Sequence, residues 1–229
     1  MRTALGLCPK VPMMKKLLII FCLLLAAAIG AILFSPYIPY IRQYLATGPY
    51  RTKDAGDNNL AVLARLQIGV TVEYNPSYEK LSYPGGDVPM ERGVCTDVVI
   101  RALRLLNFDL QKEVHEDMKR NFSRYPTRWG LKRPDKNIDH RRVPNLQTFF
   151  KRKGWSLPVT NEPSDYKAGD LVTCTVGGNL PHIMIVSDRC NEEGVPLIIH
   201  NIGGGTEEED ALFMFPLNGH YRVQLPGKK

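Results

Sequence analysis

The chain has 229 residues, 44% of them hydrophobic, and carries 30 Lys and Arg against 23 Asp and Glu for a formal net charge of +7 at pH 7. That length and apolar content can bury a substantial core from about residue 57 onward and leave no room for a second full domain. The positive excess is concentrated, because residues 119–153 hold 12 Lys and Arg against two Asp, so an anionic partner suits that stretch.

At the N-terminus, Leu17 to Phe34 form an unbroken apolar run of 18 residues behind Lys15 and Lys16. Such a run is long enough to span a bilayer. It reads as an uncleaved anchor or, with small residues around Ala28-Ile29-Gly30, as a signal peptide. The preceding positive charge directs the large C-terminal part out of the cytoplasm. The expectation is therefore a protein on the periplasmic or extracytoplasmic face of a bacterial inner membrane, tethered through residues 17–34 or secreted. Residues 1–16 form a short tail. Residues 35–56, with Pro36, Pro39, Gly48, Pro49 and Gly56, have linker chemistry, and residues 57–229 form the folded domain.

Within the domain, Leu60 to Gln67 carries a helical apolar stripe behind the cap candidates Asn58 and Asn59, and Gly69 to Tyr74 alternates as a short strand. After the turn at Tyr83-Pro84-Gly85-Gly86-Asp87, Cys95, Val98, Val99, Ala102, Leu105 and Leu106 mark one face of a helix. Leu110, Val114, Met118 and Phe122 mark a second. Leu146 to Lys153 makes a third, with Asn145 as cap and Gly154 as stop. The period then changes. Asp170 to Val176 and His182 to Val186 read as a hairpin around Gly177 to Pro181, in which Val176 facing Pro181 would keep Cys174 and Cys190 apart. Leu197–Asn201, Leu212–Leu217 and Tyr221–Leu225 supply further strands. Helices first and antiparallel strands later make an α+β domain.

Three cysteines in the domain, Cys95, Cys174 and Cys190, leave at least one free thiol in an oxidising compartment. Cys95 opens a predicted helix just after Gly93, where unpaired N–H groups and the helix dipole favour a thiolate. His182 opens a strand and His200 ends the next one, so adjacent strands bring both imidazoles to one rim. A nucleophilic cysteine needs such a base and an orienting group. A free Cys on an apolar face is more often a small core residue, and a lone strand His is usually structural, so the combination carries more than any member.

Three stretches extend this reading: Gly93-Val94-Cys95-Thr96-Asp97-Val98-Val99, Ala168-Gly169-Asp170-Leu171-Val172, and His182-Ile183-Met184-Ile185-Val186 followed by Ile198-Ile199-His200-Asn201. Their order resembles the NlpC-type, papain-like cell-wall cysteine peptidases. Residues 60 to 223 also resemble a bacterial family known as a domain of unknown function (number 1287). The segments that carry this second likeness include Tyr83 to Pro89, Val114 to Met118, Trp129 to Asn145 and His200 to Asp210. The NlpC resemblance implies a papain-like fold with Cys95 as nucleophile, His182 as general base and His200 as the orienting residue, with Asn201 next in line. It further implies a cell-envelope amide substrate, peptidoglycan stem peptides among them. The helix here begins Val-Cys-Thr-Asp where that family has Asp-Cys-Ser-Gly. Asp97 is left to cap the helix, pair with a basic residue or touch substrate, and Asp97 and Asn201 are the candidate substrate-binding residues. The alternative is a non-catalytic envelope-binding protein that uses the basic surface.

No cofactor is expected. His115 with Asp117, or His182 with His200 and Asp210, lacks a metal-ligand spacing, so no metal is expected either. Gly203-Gly204-Gly205 is followed by Glu207 to Asp210 where a phosphate loop needs Lys, and reads as a flexible loop. His140 and His220 read as surface residues. The basic segment 119–153, with Phe122, Tyr125 and Trp129, fits an anionic polymer or lipid headgroups in this compartment, and no nucleic acid is expected.

Overall fold

A computed structural model describes residues 60–225. The apolar run 17–34, the linker 35–56 and the caps Asn58 and Asn59 lie outside them. No helix among the described residues is long and apolar enough to cross a membrane.

Four helices pack on one face of an open, wholly antiparallel six-stranded sheet, the α+β arrangement that the change of period predicts. The helices are α1 (Leu60–Arg65), α2 (Cys95–Leu105), α3 (Leu110–Asn121) and α4 (Val143–Arg152). The sheet runs β3-β8-β4-β5-β6-β7, where β3 is Ser156–Leu157, β4 Leu171–Val176, β5 Leu180–Cys190, β6 Pro196–Asn201, β7 Thr206–Glu209 and β8 Leu217–Tyr221. Two further short strands, β1 (Glu73–Tyr74) and β2 (Arg92–Gly93), pair in parallel.

The helices form where the 3.6-residue stripe predicts, since Cys95, Val98, Val99 and Ala102 of α2 and Leu110, Val114 and Met118 of α3 are all buried, but at the end of α2 it is Leu103 that is buried while the expected Leu105 is exposed. Asp109 caps α3 by accepting from the Gln111 N–H at 3.1 Å. In α4 the start differs from expectation. Pro144, which has no N–H to lose, occupies the first turn, and Asn145 lies inside the helix with its amide donating to the Asp139 carbonyl at 3.0 Å. Gly154, at φ +73°, ends it as predicted.

The apolar runs of the sheet are explained by burial on both faces. Leu171, Ile183, Ile185, Ile199 and Tyr221 pack against the helices. Val172, Met184, Val186 and Ile198 face the other way, under Tyr166, Ala211 and Leu212. In the hairpin Val176 lies opposite Leu180 rather than Pro181, one residue from the expected register. Cys174 consequently faces His182, Cys190 faces Pro196, and all three cysteines are free thiols.

Several local expectations are corrected. Helix α1 ends at Arg65, and the chain then turns through Val70 N–H and Thr71 N–H bonds to the Gln67 carbonyl, so only Glu73–Tyr74 of the expected 69–74 strand forms. The acidic stretch after the loop at residues 203–205, for which the sequence predicts no strand, is strand β7. Like charges disfavour a strand locally, but Glu208 meets Arg65 at 2.8 Å and Glu209 meets His200 at 2.8 Å. Leu212 is buried from a turn, and the last strand is Leu217–Tyr221 in place of 212–217 and 221–225. His140 and His220 are buried, each 2% exposed. His220 stacks on Tyr166 and bonds Asp170 at 2.8 Å, contacts made across the sheet that local sequence cannot anticipate.

Candidate active site

The loop entering α2 is pinned before Cys95 is reached. The Arg101 guanidinium, buried one and a half turns into the helix, donates to the carbonyls of Val88, Pro89 and Arg92 at 3.2, 3.2 and 3.0 Å and to the Asp87 carboxylate at 3.1 Å. Gly93 is required by close approach, since a Cβ there would stand 3.0 Å from Asp97 Oδ2. Cys95 follows as the first residue of α2, 4% exposed.

Burial pushes the Cys95 thiol up to about 12, and the Asp97 charge adds to the rise. The N–H groups of Ile183 and Thr96 pull the other way without overcoming it. The resting group is therefore a thiol and not the thiolate expected from the helix terminus, because loss of water outweighs two amide dipoles. The Ile183 amide belongs to the residue after His182, and because side chains alternate along β5, Ile183 packs with Cys95 on the helix side of the sheet while His182 lies on the side of Met184 and Cys174. Among the described residues no hydrogen bond joins the Cys95 sulfur directly to His182.

His182 and His200 are brought together as predicted from their adjacent strands. His182 Nε2 and His200 Nδ1 are 2.8 Å apart, and His200 Nε2 is 2.8 Å from Glu209 Oε2. This order fixes the protons. The Glu209 carboxylate only accepts, so His200 Nε2 carries a hydrogen and its Nδ1 accepts; His182 Nε2 then donates, leaving the His182 Nδ1 lone pair free. Burial, with the neighbouring His200, draws His182 down to about 3, and burial also lowers His200 against the pull of Glu209. Both imidazoles are neutral at neutral pH, so His182 Nδ1 is a base with an open lone pair, and a neutral thiol would lose its proton to such a base during attack rather than before it.

The two substrate-binding candidates are both engaged within the protein. Asp97 Oδ1 and Oδ2 accept from Arg141 Nε and Nη2, each at 2.9 Å, and Oδ2 also accepts the Val94 N–H at 2.7 Å. It thus caps α2 and pairs with a basic residue at once. The Asn201 amide donates to the Gly93 carbonyl at 3.2 Å and to the Glu73 carbonyl at 3.4 Å, tying β6 to the entrance of α2. His200, not Asn201, touches His182. Sequence reading missed Glu209 and Arg141. Glu209 was hidden because the sequence predicts no strand for its segment, and Arg141 by its place among eleven other basic residues in 119–153.

Cys95 forms part of the wall of a cavity of about 470 Å³. Tyr74, Tyr78, Trp129, Arg141, Arg142 and Pro181 also border it. Pro181 immediately precedes His182, so the cavity opens at the cysteine end of β5.

No solved structure is significantly similar to the chain. The family described as "Domain of unknown function (DUF1287)" matches residues 61–223. A curated relative, "Uncharacterized protein YijF" of Escherichia coli (strain K12), is 56% identical over 179 residues, which cover 77% of this chain and 87% of the relative. The cysteine, the two histidines and the cavity all lie within the matched span, and the chain belongs to the DUF1287 family.

Proposed function

We propose that the chain is an extracytoplasmic thiol hydrolase with a papain-like, NlpC-type site, acting on amide bonds of the cell envelope such as those of peptidoglycan stem peptides. Two observations support this reading: the Glu209–His200–His182 chain, which leaves a free lone pair on His182 Nδ1, and Cys95 at the head of α2 in the wall of a cavity that Pro181, next to His182, also borders; the chemistry requires the His182 ring to turn to the cysteine side of β5. Attack of Sγ on the amide carbonyl carbon passes the thiol proton to Nδ1. Amides of the first turn of α2 stabilise the oxyanion. Collapse breaks the C–N bond as His182 returns the proton to the leaving amine. Water then attacks the thioester, giving its proton to His182, and the carboxylic acid leaves with the thiol restored. The apolar run 17–34 would hold the domain at the membrane, and the basic segment 119–153 would meet anionic polymer or lipid.

A second reading, a non-catalytic envelope-binding protein, draws support from the burial and raised pKa of Cys95. The full-length chain, incubated with purified peptidoglycan, separates the two. Release of new amino and carboxyl termini that disappears in Cys95→Ala and His182→Ala, with peptidoglycan binding retained, supports the hydrolase. Binding without release by the wild type, or release that survives Cys95→Ala, overturns it.

A further inference from the structure

The cavity beside Cys95 has a charge that the proposed chemistry does not use. Three guanidiniums border it, from Arg128, Arg141 and Arg142, and no carboxylate does. Arg141 is neutralised by its two-pronged bond to Asp97. Arg142 reaches Asp139 at 3.3 Å through a single nitrogen and is also close enough to the Asp135 carboxylate to feel its charge. Its guanidinium carbon lies 4.2 Å from the centre of the Trp129 ring. Arg128 lies 5.8 Å from the same ring and has no carboxylate partner among the described residues. Trp129 thus holds two guanidiniums at the cavity, and one of them, that of Arg128, has no carboxylate partner among the described residues and is the wall's uncompensated charge.

We propose that the ligand bound beside Cys95 carries a free carboxylate, held by Arg128 and Arg142 about Trp129, with its apolar body against Tyr74, Tyr78 and Pro181. The assignment deepens the hydrolase reading by naming the substrate as an amide with a nearby carboxylate, and rests on that reading only for the word substrate. One uncompensated charge matches a monoanion better than a phosphate dianion. Arginine forks suit the planar carboxylate, and the largely apolar remainder of the wall suits a small acyl or peptide body.

Calorimetric titration of the full-length chain in neutral detergent tests this, using acetate, benzoate and N-acetyl-dialanine, each against its amide, and inorganic phosphate as competitor. Loss of a charge-assisted hydrogen bond corresponds to about a tenfold or larger change in affinity. The acids are expected to bind about tenfold or more tightly than their amides, in wild type and in Cys95→Ala alike. Arg128→Gln, at an exposed position, and Arg142→Gln should each remove that preference while leaving amide binding unchanged. Equal binding of acid and amide, no saturable binding of any acid, or phosphate displacing benzoate more strongly than acetate does overturns the assignment. Acid preference in a protein that cleaves nothing supports the carboxylate site and removes the hydrolase reading, so the two fail separately.

Discussion

Replacing Asp97 by Asn decides whether that residue holds the fold or meets substrate. Asp97 and Arg141 are 3% and 2% exposed at their side chains, and both carboxylate oxygens accept from the guanidinium at 2.9 Å. The amide puts an NH2 donor against guanidinium donors and leaves Arg141 as a buried, uncompensated cation. Breaking one partner of such a pair costs about 3–5 kcal/mol. At about 2–4 °C per kcal/mol for a domain of this size, Tm falls by roughly 6–20 °C. Thermal unfolding of the full-length chain followed by circular dichroism reads this directly. The double variant Asp97→Asn, Arg141→Gln is expected to recover part of the loss, because it removes the stranded charge. A Tm within about 2 °C of wild type, together with weakened ligand binding, refutes the structural role and returns Asp97 to the substrate.

Three further outcomes are expected. Glu209→Gln keeps an acceptor for His200 but removes the charge that supports an imidazolium on His182, so kcat falls roughly tenfold with KM and Tm unchanged; an unaltered kcat, or a lowered Tm, speaks against a relay. Burial lowers His140 to about 4 and His182 to about 3, so the unfolded chain takes up protons first as pH falls. Stability from these groups is complete above about 6.5 and drains away toward pH 3, partly offset by Asp139, which burial raises to about 6 and which favours the folded state between about 6 and 3.8. Melting across pH is expected to show a lower Tm at pH 4 than at pH 7 and a shallower slope in His140→Gln; a higher Tm at pH 4 contradicts this. With its thiol near 12 against an ordinary 9.0, Cys95 is expected to alkylate more than about thirtyfold more slowly than exposed Cys190 at pH 7, after allowing for the greater nucleophilicity of its thiolate. Peptide mapping by mass spectrometry checks it, and faster labelling at Cys95 would show a preformed thiolate.

Much of this architecture was legible before any coordinates. The stripe from Cys95 to Ala102, the Gly154 stop and the apolar runs of β4, β5 and β6 are set by local periodicity, which one element is enough to reveal. The same periodicity placed His182 and His200 on neighbouring strands, hence within reach of each other. What it could not show depends on partners far along the chain. Thr206 to Glu209 looks like a solvated acidic segment until Arg65, distant in sequence, neutralises Glu208 and the His200 imidazole donates to Glu209, so that β7 can pair with β6. His140 and His220 look like surface residues until the sheet and α4 cover them. The protonation state of Cys95 reversed for the same reason. A helix N-terminus favours a thiolate locally, but only the packed sheet sets how much water is lost around the sulfur, and desolvation is the larger effect. Sequence alone therefore determined which residues recur on one face. Tertiary structure decided which charges are matched, which imidazole nitrogen is free, and how dry the cysteine is, because those are properties of groups brought together only by folding.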